Sequence, residues 1–514
     1  MFVPDWLARR ESLSPDRVAL VDMLRGGRTI TYRAWNRAAN RTAHFLRGPL
    51  GIGKGERVAV LAKNCTEYLD LLFACAKTGA ILASLNWRLT PAELQGILAD
   101  VSPSVLVYGP GFEATVRALA GSDAARGIRH FVAVGEAAMD GHVAFSDRES
   151  FTDASPPAVP LTEDDPWVLC STGGSTGLPK AAVLTHGNIL WNAINTIVSW
   201  GLRPDDTSIL DAPLFHTGGL NVFTAPLVHI GGTSIVCSGF DPGLFYDLLE
   251  SARPTVYFGV PTMFLALSDH PRFAAADFSG LRIVISGGAP CPAPIFERYW
   301  ARGIDFKTGY GLTEAGPNTF WLPPADVRRK PGSVGAPLFH IDVRIVDPEG
   351  RDVAADEVGE LWVRGPHVCK GYWNRPEETA AAIVDGWLRT GDLARRDAEG
   401  HHYIVGRKKD VIISGGENIY PAEVESVLAA HPALAEVALV GEPDTKWGEV
   451  GLAIVVPRPG LAPTEDEILA FCRDRLARYK VPRRVVFTTE LARTGAGKVD
   501  KRLLRERHGQ RPAG

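Results

Sequence analysis

The strongest constraint on the fold of this chain is an alternation of helical and strand patterns along its first 400 residues. Apolar residues recur at helical spacing from Ile30 to Leu46 and from Glu67 to Thr78. Short apolar runs, which are typical of buried strands, occur at Arg57–Ala62, Ser104–Tyr108, Trp167–Cys170, Thr233–Val236, Thr255–Phe258, Arg282–Ser286 and Asp342–Val346. Strands that alternate with helices favour a wound α/β sheet.

The pattern changes near residue 400. Gly359–Val363 and His402–Val405 predict antiparallel strands, and the polar segment Gly406–Asp410 predicts a turn. The residues after this turn predict a small α+β unit. From Arg473 to Arg511 that unit carries 13 Lys or Arg against 4 Asp or Glu, which indicates either a solvated surface or a positive field that faces an anionic ligand.

The composition excludes several classes of protein. With 514 residues, of which 45% are hydrophobic and 22% charged, the chain predicts a globular protein of more than one domain. A net charge of −4 gives no global basic field, so we expect no nucleic-acid partner. Seven scattered cysteines without a Cys-x-x-Cys pair predict neither a disulfide framework nor a zinc site. No signal peptide is evident, and Gly and Pro interrupt the uncharged stretch Ala212–Phe240, so we expect a cytoplasmic protein without a membrane helix.

The most informative segment is the glycine-rich run from Ser171 to Lys180. Its glycines allow backbone N–H groups to turn toward an anion, and its hydroxyls add donors. Pro179 stands where the nucleoside-triphosphatase P-loop needs glycine, and no Ser or Thr follows the lysine, so that motif is excluded. The candidate phosphate-binding residues are Ser171, Thr172, Gly173, Gly174, Ser175, Thr176, Gly177 and Lys180.

Four further clusters carry residues suited to a nucleotide. Thr308–Glu314 offers Tyr310 as a stacking face for a purine and Glu314 as a magnesium ligand. Asp392 and Arg407 are possible ribose or phosphate partners, and Lys498 lies on a glycine-rich turn. Each cluster alone is a weak signal, because charged residues on turns are usually solvated. Together they indicate a nucleotide-dependent enzyme.

These residues resemble those of the AMP-forming acyl- and aryl-CoA synthetases, within the adenylate-forming superfamily. The motifs occur in the family's order as STGGSTGLPK, YGLTE, TGD, GRKKD, SGGENIYPAEVE and TGAGK. The resemblance implies an N-terminal adenylation domain over residues 1–408, built of wound α/β sheets with a small β-barrel-like part. It also implies a small, mobile α+β domain over residues 409–514 that swings about a hinge near Lys409.

The resemblance implies a ligase that acts in two steps. A carboxylate attacks the α-phosphate of MgATP to give an acyl-AMP, and coenzyme A then attacks the acyl carbon. Lys498 would bridge the carboxylate and the α-phosphate, while Glu314, with Thr313 and Thr176, would serve the magnesium ion. The residues implied to bracket adenine and hold the ribose are Gly288, Ala289, Pro290, Gly309, Tyr310, Gly311, Asp392 and Arg407.

The second step implies a different set of residues. After the swing, Gly415, Gly416 and Glu417 would lie beside a tunnel for the pantetheine arm, and Trp447 would pack on that arm. The resemblance also makes three cations candidates for the phosphates of coenzyme A, with a solvated side chain as the alternative for each: Arg88, Lys480 and Arg483.

His216 stands where amino-acid-activating relatives carry an aspartate, so an α-amino acid is disfavoured. We expect His216 to line the acid pocket, with a buried structural histidine as the alternative. The predicted pocket walls carry no Arg or Lys, which favours a medium- or long-chain fatty acid or an aromatic acid over a dicarboxylate; they are His216–Leu220, Tyr257–Thr262, Ser286–Gly288 and Gly309–Thr313.

Three alternatives remain open at this point. The enzyme could pass its activated group to a carrier protein or an amine instead of coenzyme A. A luciferase-like oxygenase on the same fold finds no support in the sequence, and a non-catalytic binding module is disfavoured because every charged motif residue is present. A homodimer is a further possibility.

Overall fold

A computed structural model describes residues 3–135, 138–172, 179–494 and 498–509 of the chain. In these ranges the α-helices are α1 (Trp6–Leu13), α2 (Tyr32–Arg47), α3 (Thr66–Thr78), α4 (Pro91–Val101), α5 (Glu113–Ala120), α6 (His186–Trp200), α7 (Thr224–Ile230), α8 (Pro242–Ser251), α9 (Pro261–Asp269), α10 (Ala293–Ala301), α11 (Pro324–Val327), α12 (Pro376–Ala382), α13 (Pro421–Ala429), α14 (Glu465–Arg473) and α15 (Lys501–His508).

The strands of the same ranges are β1 (Val18–Asp22), β2 (Arg28–Thr31), β3 (Arg57–Leu61), β4 (Ile81–Ser84), β5 (Val105–Tyr108), β6 (His130–Ala133), β7 (Val143–Ala144), β8 (Pro166–Thr172), β9 (Lys180–Thr185), β10 (Thr207–Leu210), β11 (Thr233–Val236), β12 (Val256–Gly259), β13 (Ile283–Ser286), β14 (Phe306–Thr308), β15 (Phe320–Trp321), β16 (Ala336–Pro337), β17 (Asp342–Val346), β18 (Gly359–Arg364), β19 (Ile383–Val384), β20 (Trp387–Arg396), β21 (His402–Arg407), β22 (Ile412–Ser414), β23 (Glu417–Ile419), β24 (Leu434–Asp444), β25 (Gly448–Pro457) and β26 (Arg484–Phe487).

Two seven-stranded sheets share part of their topology. The first runs β7-β6-β5-β3-β4-β8-β9, and the second runs β14-β13-β12-β10-β11-β1-β2. In each sheet the neighbours are parallel except at one edge, where β9 and β2 pair antiparallel to β8 and β1. Strands β3 to β7 and strands β10 to β14 follow the same order, although the sequence carries no repeat. The edge pairs differ in origin, because β8 and β9 follow the five strands of the first sheet in the chain, whereas β1 and β2 precede those of the second. Because both sheets are parallel, their carboxyl ends form the edges at which ligand sites are expected.

Helices separate and cover these sheets. The largest apolar cluster contains Val58 of the first sheet, Val236 of the second, and Trp35 and Phe73 from α2 and α3 between them. On their far faces the first sheet packs against α4 and α5, and the second against α8, α9 and α10. The resulting five layers confirm the predicted wound α/β architecture.

A third, antiparallel sheet follows in the chain. It runs β17-β18-β20-β19, and β21 pairs with the other part of β20. Its apolar residues Leu361 and Val363 pack with Ile283 and Ile285 of the second sheet. The predicted antiparallel strands near residues 359 and 402 are therefore correct, and both of them flank β20.

The residues after β21 form a smaller α+β unit. Strands β22 to β26 make one sheet in the order β23-β22-β25-β24, with β26 parallel to β25. Helices α13 and α14 cover one face, and α15 contributes to the cluster on the other. We call these residues the final unit. The domain boundary at Lys409 stays a prediction.

Two local predictions are wrong. The turn predicted at Gly406–Asp410 begins only at Lys408, because Gly406 and Arg407 pair with β20 as part of β21. The other error concerns Ile30. The helical spacing predicted a helix from this residue, but Ile30 and Thr31 close β2, and α2 begins at Tyr32. Thr31 caps the helix, because its side chain accepts a hydrogen bond from the Ala34 N–H. Apolar spacing alone does not mark this boundary, whereas a threonine before a helical pattern does. In the described ranges, no helix combines the length and the apolar character needed to cross a bilayer.

Candidate active site

The candidate phosphate segment lies at the carboxyl end of the first sheet. Ser171 and Thr172 end β8, and Lys180 begins β9. Thr172 Oγ1 donates a hydrogen bond to the Lys180 carbonyl oxygen over 3.2 Å, so the two ends of the loop are joined at its base. The remaining predicted phosphate residues lie outside the described residues; they are Gly173, Gly174, Ser175, Thr176 and Gly177.

Tyr372 connects Lys180 to Glu314. The Tyr372 hydroxyl donates to Glu314 Oε1 over 2.9 Å, and the centre of its ring lies 5.2 Å from Lys180 Nζ. The segment around Tyr372 pairs with β9, since the Gly371 carbonyl accepts from the Val183 N–H over 2.9 Å. Sequence reasoning missed Tyr372, and the only local signal is a glycine before it, Gly371, at φ 129°.

Glu314 lies in a short 3-10 turn, Thr313–Ala315. Burial raises the pKa of Glu314, while the hydrogen bond from its own backbone N–H, the Tyr372 hydroxyl and the Arg407 charge lower it. Its backbone carbonyl accepts from the Cys369 N–H over 2.7 Å. The predicted metal-binding carboxylate therefore sits in a pocket of opposite charge and fixed donors.

Asp392 is the centre of a second polar group. Tyr310 donates its hydroxyl proton to Asp392 Oδ2 over 2.6 Å, and Arg407 Nε lies 3.4 Å from Asp392 Oδ1. Asp392 and Arg407 face each other in register on β20 and β21. Burial raises the pKa of Asp392, whereas the Tyr310 hydrogen bond and the charges of Arg407 and Lys498 lower it. The hydroxyl of Tyr310 thus has a hydrogen-bond partner, Asp392, in addition to the predicted role of the Tyr310 ring as a stacking face.

Lys498 of the final unit belongs to the same group of charges. The residue is exposed overall, yet withdrawal of its ammonium from bulk water lowers the pKa of Lys498, and repulsion from Arg407 acts in the same direction. Attraction from Asp392 and Glu314 opposes both effects. The lysine is held on its turn by a hydrogen bond from the Thr494 N–H to its carbonyl over 2.7 Å. The charges that act on its pKa therefore couple a lysine of the final unit to Asp392 of β20 and to Glu314 of the turn after β14.

His216 is coupled to this group through the charge of Lys498. Burial, Lys498 and Arg88 lower the pKa of His216 to about 4, so its ring is neutral at pH 7. The ring centre lies 4.8 Å from that of Phe215. A π-helical turn, Gly218–Val222, follows, in which a Cβ on Gly219 would lie 2.3 Å from the Pro213 carbonyl oxygen. That turn can form only with glycine at position 219.

The predicted adenine residues lie at the carboxyl end of the second sheet. Gly288, Ala289 and Pro290 are exposed just after β13, and Gly288 has φ 80°. The Gly309 N–H donates to the Ser286 carbonyl over 2.7 Å. A Cβ on Gly311 would lie 1.3 Å from the Pro317 carbonyl oxygen, so no side chain fits there.

The residues predicted for the second step lie apart from this group. The Gly415 N–H donates to the Trp447 carbonyl over 2.7 Å, and a Cβ on Gly415 would lie 2.6 Å from Trp447 Cε3. Gly416 and Glu417 are exposed, and 45% of Trp447 is exposed. The described contacts of these four residues stay within the final unit.

All three cations predicted for coenzyme A have described interactions, and the Arg483 N–H donates to the Gly451 carbonyl over 2.7 Å. Arg88 stacks on the Trp87 ring at 4.9 Å and on the Phe215 ring at 5.6 Å, which places it beside His216. Lys480 Nζ pairs with Glu423 Oε1 at 2.7 Å. Among the residues outside the gaps at 136–137, 173–178 and 495–497, no three His, Cys, Asp or Glu side chains form a cluster that could hold a metal ion.

Two family models match the chain. The model described as AMP-binding enzyme matches residues 7–373, and the model described as AMP-binding enzyme C-terminal domain matches residues 423–498.

Curated relatives match along almost the whole chain. A feruloyl-CoA synthase of Amycolatopsis sp is 46% identical over 504 residues, which cover 98% of each chain. An indoleacetate–CoA ligase of Aromatoleum aromaticum is 39% identical and also covers 98% of each. Among solved structures, ATP-bound MatB from Rhodopseudomonas palustris is 33% identical, covers 98% of each chain and gives a TM-score of 0.89. The apo structure of MatB, with the same coverage, gives 0.78.

Proposed function

Since the chain belongs to the AMP-binding enzyme family and is an AMP-forming acyl-CoA synthetase, we propose that it activates an aromatic carboxylic acid for transfer to coenzyme A. The two curated relatives described above carry the names of aromatic acids, ferulate and indoleacetate, and both match along the whole chain. The predicted acid pocket is continuous with Phe215 and His216, and a neutral histidine ring suits an apolar or aromatic acyl group. A fatty acid becomes the alternative that the experiment below tests.

The observation that carries the first step is the position of Lys498 among Asp392, Glu314 and His216. A carboxylate oxygen of the acid would attack the α-phosphorus of ATP, and the bond to pyrophosphate would break. Both reactants are anionic, so they repel each other until a cation lies between them. The Lys498 ammonium would fill that place, with Lys180 at the departing phosphates. Catalysis of this kind rests on placement and charge, with no covalent intermediate on the protein.

Mg²⁺ fits the donors of this site. Glu314 would hold the ion, with Thr313 and Thr176 beside it, because hard oxygen ligands are those that Mg²⁺ prefers. When bound, the ion would neutralise charge on the phosphates. Tyr372 keeps the Glu314 carboxylate oriented and, through its hydrogen bond, favours the ionised form that a metal ion needs.

The second step would need a different position of the final unit. Gly415 lies against Trp447 within the final unit, whereas burial and the charges of Arg407, Asp392 and Glu314 act on the pKa of Lys498. The higher TM-score to the ATP-bound form of MatB supports the assignment of this arrangement to the first step. We infer that rotation about Lys409 then withdraws Lys498 and delivers the glycine turn, so that the thiol sulfur attacks the acyl carbon and AMP leaves.

The setting follows from the substrates and the cysteines. ATP, coenzyme A and the acid are the partners, and we propose that the enzyme works in the cytoplasm, where thiols stay reduced. All seven cysteines are free in the structure, which agrees with such a compartment. A homodimer stays a prediction.

The test is release of AMP and pyrophosphate from MgATP with a panel of acids, with and without coenzyme A. The panel would contain ferulate, cinnamate, benzoate, indoleacetate and straight-chain acids from acetate to C18. We expect turnover that depends on coenzyme A and is fastest with an aromatic acid. Faster turnover with a straight-chain acid would contradict the aromatic assignment, and pyrophosphate without thioester would point to another acceptor.

A further inference from the structure

His216 lies on a segment that follows β10 of the second sheet but is hydrogen-bonded to residues of the first sheet. Strand β10 ends at Leu210, and His216 follows six residues later. Asn64, just after β3 of the first sheet, reaches this segment with both ends of its side chain. Its Nδ2 donates to the Ala212 carbonyl over 2.9 Å and to the Leu210 carbonyl over 3.4 Å, and its Oδ1 accepts from the Leu214 N–H over 2.8 Å.

Two other strands of the first sheet contact the same segment. Ser84, the last residue of β4, has its Oγ 3.2 Å from the Phe215 carbonyl oxygen, and Cys170 Sγ on β8 lies 3.6 Å from that same oxygen. Cys170 directly precedes Ser171, the first residue of the candidate phosphate loop. The neighbour of His216 is therefore attached to the strand from which that loop begins.

These contacts are buried and polar. Asn64 and Ser84 are each 2% exposed, and Cys170 is fully buried. Removal of the Asn64 amide would leave the Ala212 carbonyl and the Leu214 N–H without this partner beside a side chain that is 2% exposed, whereas the Leu210 carbonyl also accepts from the Cys237 N–H over 3.1 Å. A buried backbone group without a hydrogen-bond partner is costly, so residues 210–216 would move until these groups find new partners. The fixed course of residues 210–216 thus depends on the first sheet.

We propose that Asn64 is a positioning residue that sets the place of His216, and with it the bound acid, relative to the phosphate loop of the first sheet. Ser84 supports the same position of His216 through its contact with the Phe215 carbonyl oxygen. The inference rests on the proposed adenylation reaction, in which an acid oxygen must meet the α-phosphorus in line. The acid and the phosphates are bound by segments of different sheets, and a displacement of about 1 Å between reacting groups costs up to about a hundred-fold in rate.

The experiment compares Asn64→Ala, Ser84→Ala and His216→Ala with the double variant Asn64→Ala/His216→Ala. Asn40→Ala is the matched control, because Asn40 is a buried asparagine that donates to a distant backbone carbonyl, that of Asp153, over 2.9 Å. For each full-length variant we would measure kcat and KM for the acid and for ATP in pyrophosphate release, the Kd of ATP by calorimetry, and the thermal midpoint.

We expect Asn64→Ala to raise the KM of the acid about ten-fold and to leave the Kd of ATP within about two-fold, because only the acid side of the site moves. Ser84→Ala should also raise the KM of the acid, but by a smaller factor than Asn64→Ala. In the His216→Ala background, Asn64→Ala should add little, since residues that act through one another are not additive. The proposal would be overturned if the effects of Asn64→Ala and His216→Ala multiplied in full in the double variant. It would also be overturned if Asn64→Ala changed the KM of the acid and the Kd of ATP equally.

Two results separate this inference from the proposed function. If the unmodified enzyme released no pyrophosphate with any acid, the proposed function would fail before Asn64 was tested. If it did so and Asn64→Ala behaved like Asn40→Ala, only the positioning role would fail. Should Asn64→Ala not fold, Ser84→Ala, which loses one hydroxyl, carries the same comparison.

Discussion

The phenol of Tyr372 donates a hydrogen bond to Oε1 of Glu314 over 2.9 Å, and its ring lies within 5.2 Å of the Lys180 ammonium. One side chain thus touches the carboxylate and the cation that we assign to the metal and to the departing phosphates. Replacement of Tyr372 should therefore affect both Glu314 and Lys180 while both of these side chains stay in place.

Tyr372→Phe is expected to lower kcat for pyrophosphate release about ten-fold, equivalent to ~1.4 kcal/mol. The hydrogen bond from Tyr372 lowers the pKa of Glu314, so its loss lets that pKa rise further. The acid limb of the rate profile should then move to higher pH, and more Mg²⁺ should be needed. The measurement is the rate against pH and Mg²⁺ concentration, with Tyr403→Phe, which loses a bond to the remote Asp397, as the control. An unchanged profile would show that Tyr372 serves packing alone.

Lys498→Ala should abolish most acyl-AMP formation, with a fall of about a hundred-fold or more, because the two anionic reactants lose the cation between them. Thioester formation from added acyl-AMP should continue, since the lysine has left the site by then. Lys501→Ala is the matched control, because Lys501 pairs with Glu425 at 2.6 Å on the same unit. Equal loss in both half-reactions would mean that Lys498 holds the final unit together.

Gly416→Trp should block thioester formation while pyrophosphate release in the first step persists. Gly416 has φ 88° and no atom within 4 Å of a built Cβ, so the indole would stand free in this arrangement and obstruct a narrow tunnel in the other. Gly460→Trp carries the same backbone strain in the same unit, with φ 80° and open space, and should leave both steps intact. Normal thioester synthesis by Gly416→Trp would remove this turn from the tunnel.

The stability of the protein should fall as the pH drops below 6.5. Burial lowers the pKa of His186 to about 4 and that of His367 to about 3, so each binds its proton only on unfolding in this window. The unfolded chain takes up more protons, and the loss is about 1.4 kcal/mol per histidine between pH 7.5 and 5.5. Urea unfolding at these two pH values measures it. His367→Phe should reduce the difference by about that amount, and an identical difference would show that folding does not lower the pKa of His367.

The sequence allowed the sheets to be predicted more completely than the site. Strands β11 and β17 have the predicted bounds, because short apolar runs between turn residues specify buried strands locally. The carboxylates Glu314 and Asp392 could be named because they stand in ordered motifs. The roles of Glu314 and Asp392 stay predictions. The motif order nevertheless implies that Lys498, which belongs to the final unit, approaches both carboxylates.

Tyr372 and Asn64 could not be found in this way. Each acts through contacts between residues far apart in the chain, Tyr372 with Glu314 and Asn64 with residues 210–214. A tyrosine after a glycine and an asparagine after a strand are common, so local pattern gives no reason to single them out. The common order of five strands in the two large sheets was not predicted for a related reason, since topology depends on pairing and leaves no periodicity in the sequence.

Arg407 is the last residue of β21, and the turn Lys408–Asp410 begins at the next residue. The ion pair with Asp392 is therefore adjacent, along the main chain, to the segment that joins the final unit to the large sheets. A ribose held by Asp392 and Arg407 would therefore bind at the strand end from which this turn starts, only two residues along the main chain from the predicted hinge at Lys409.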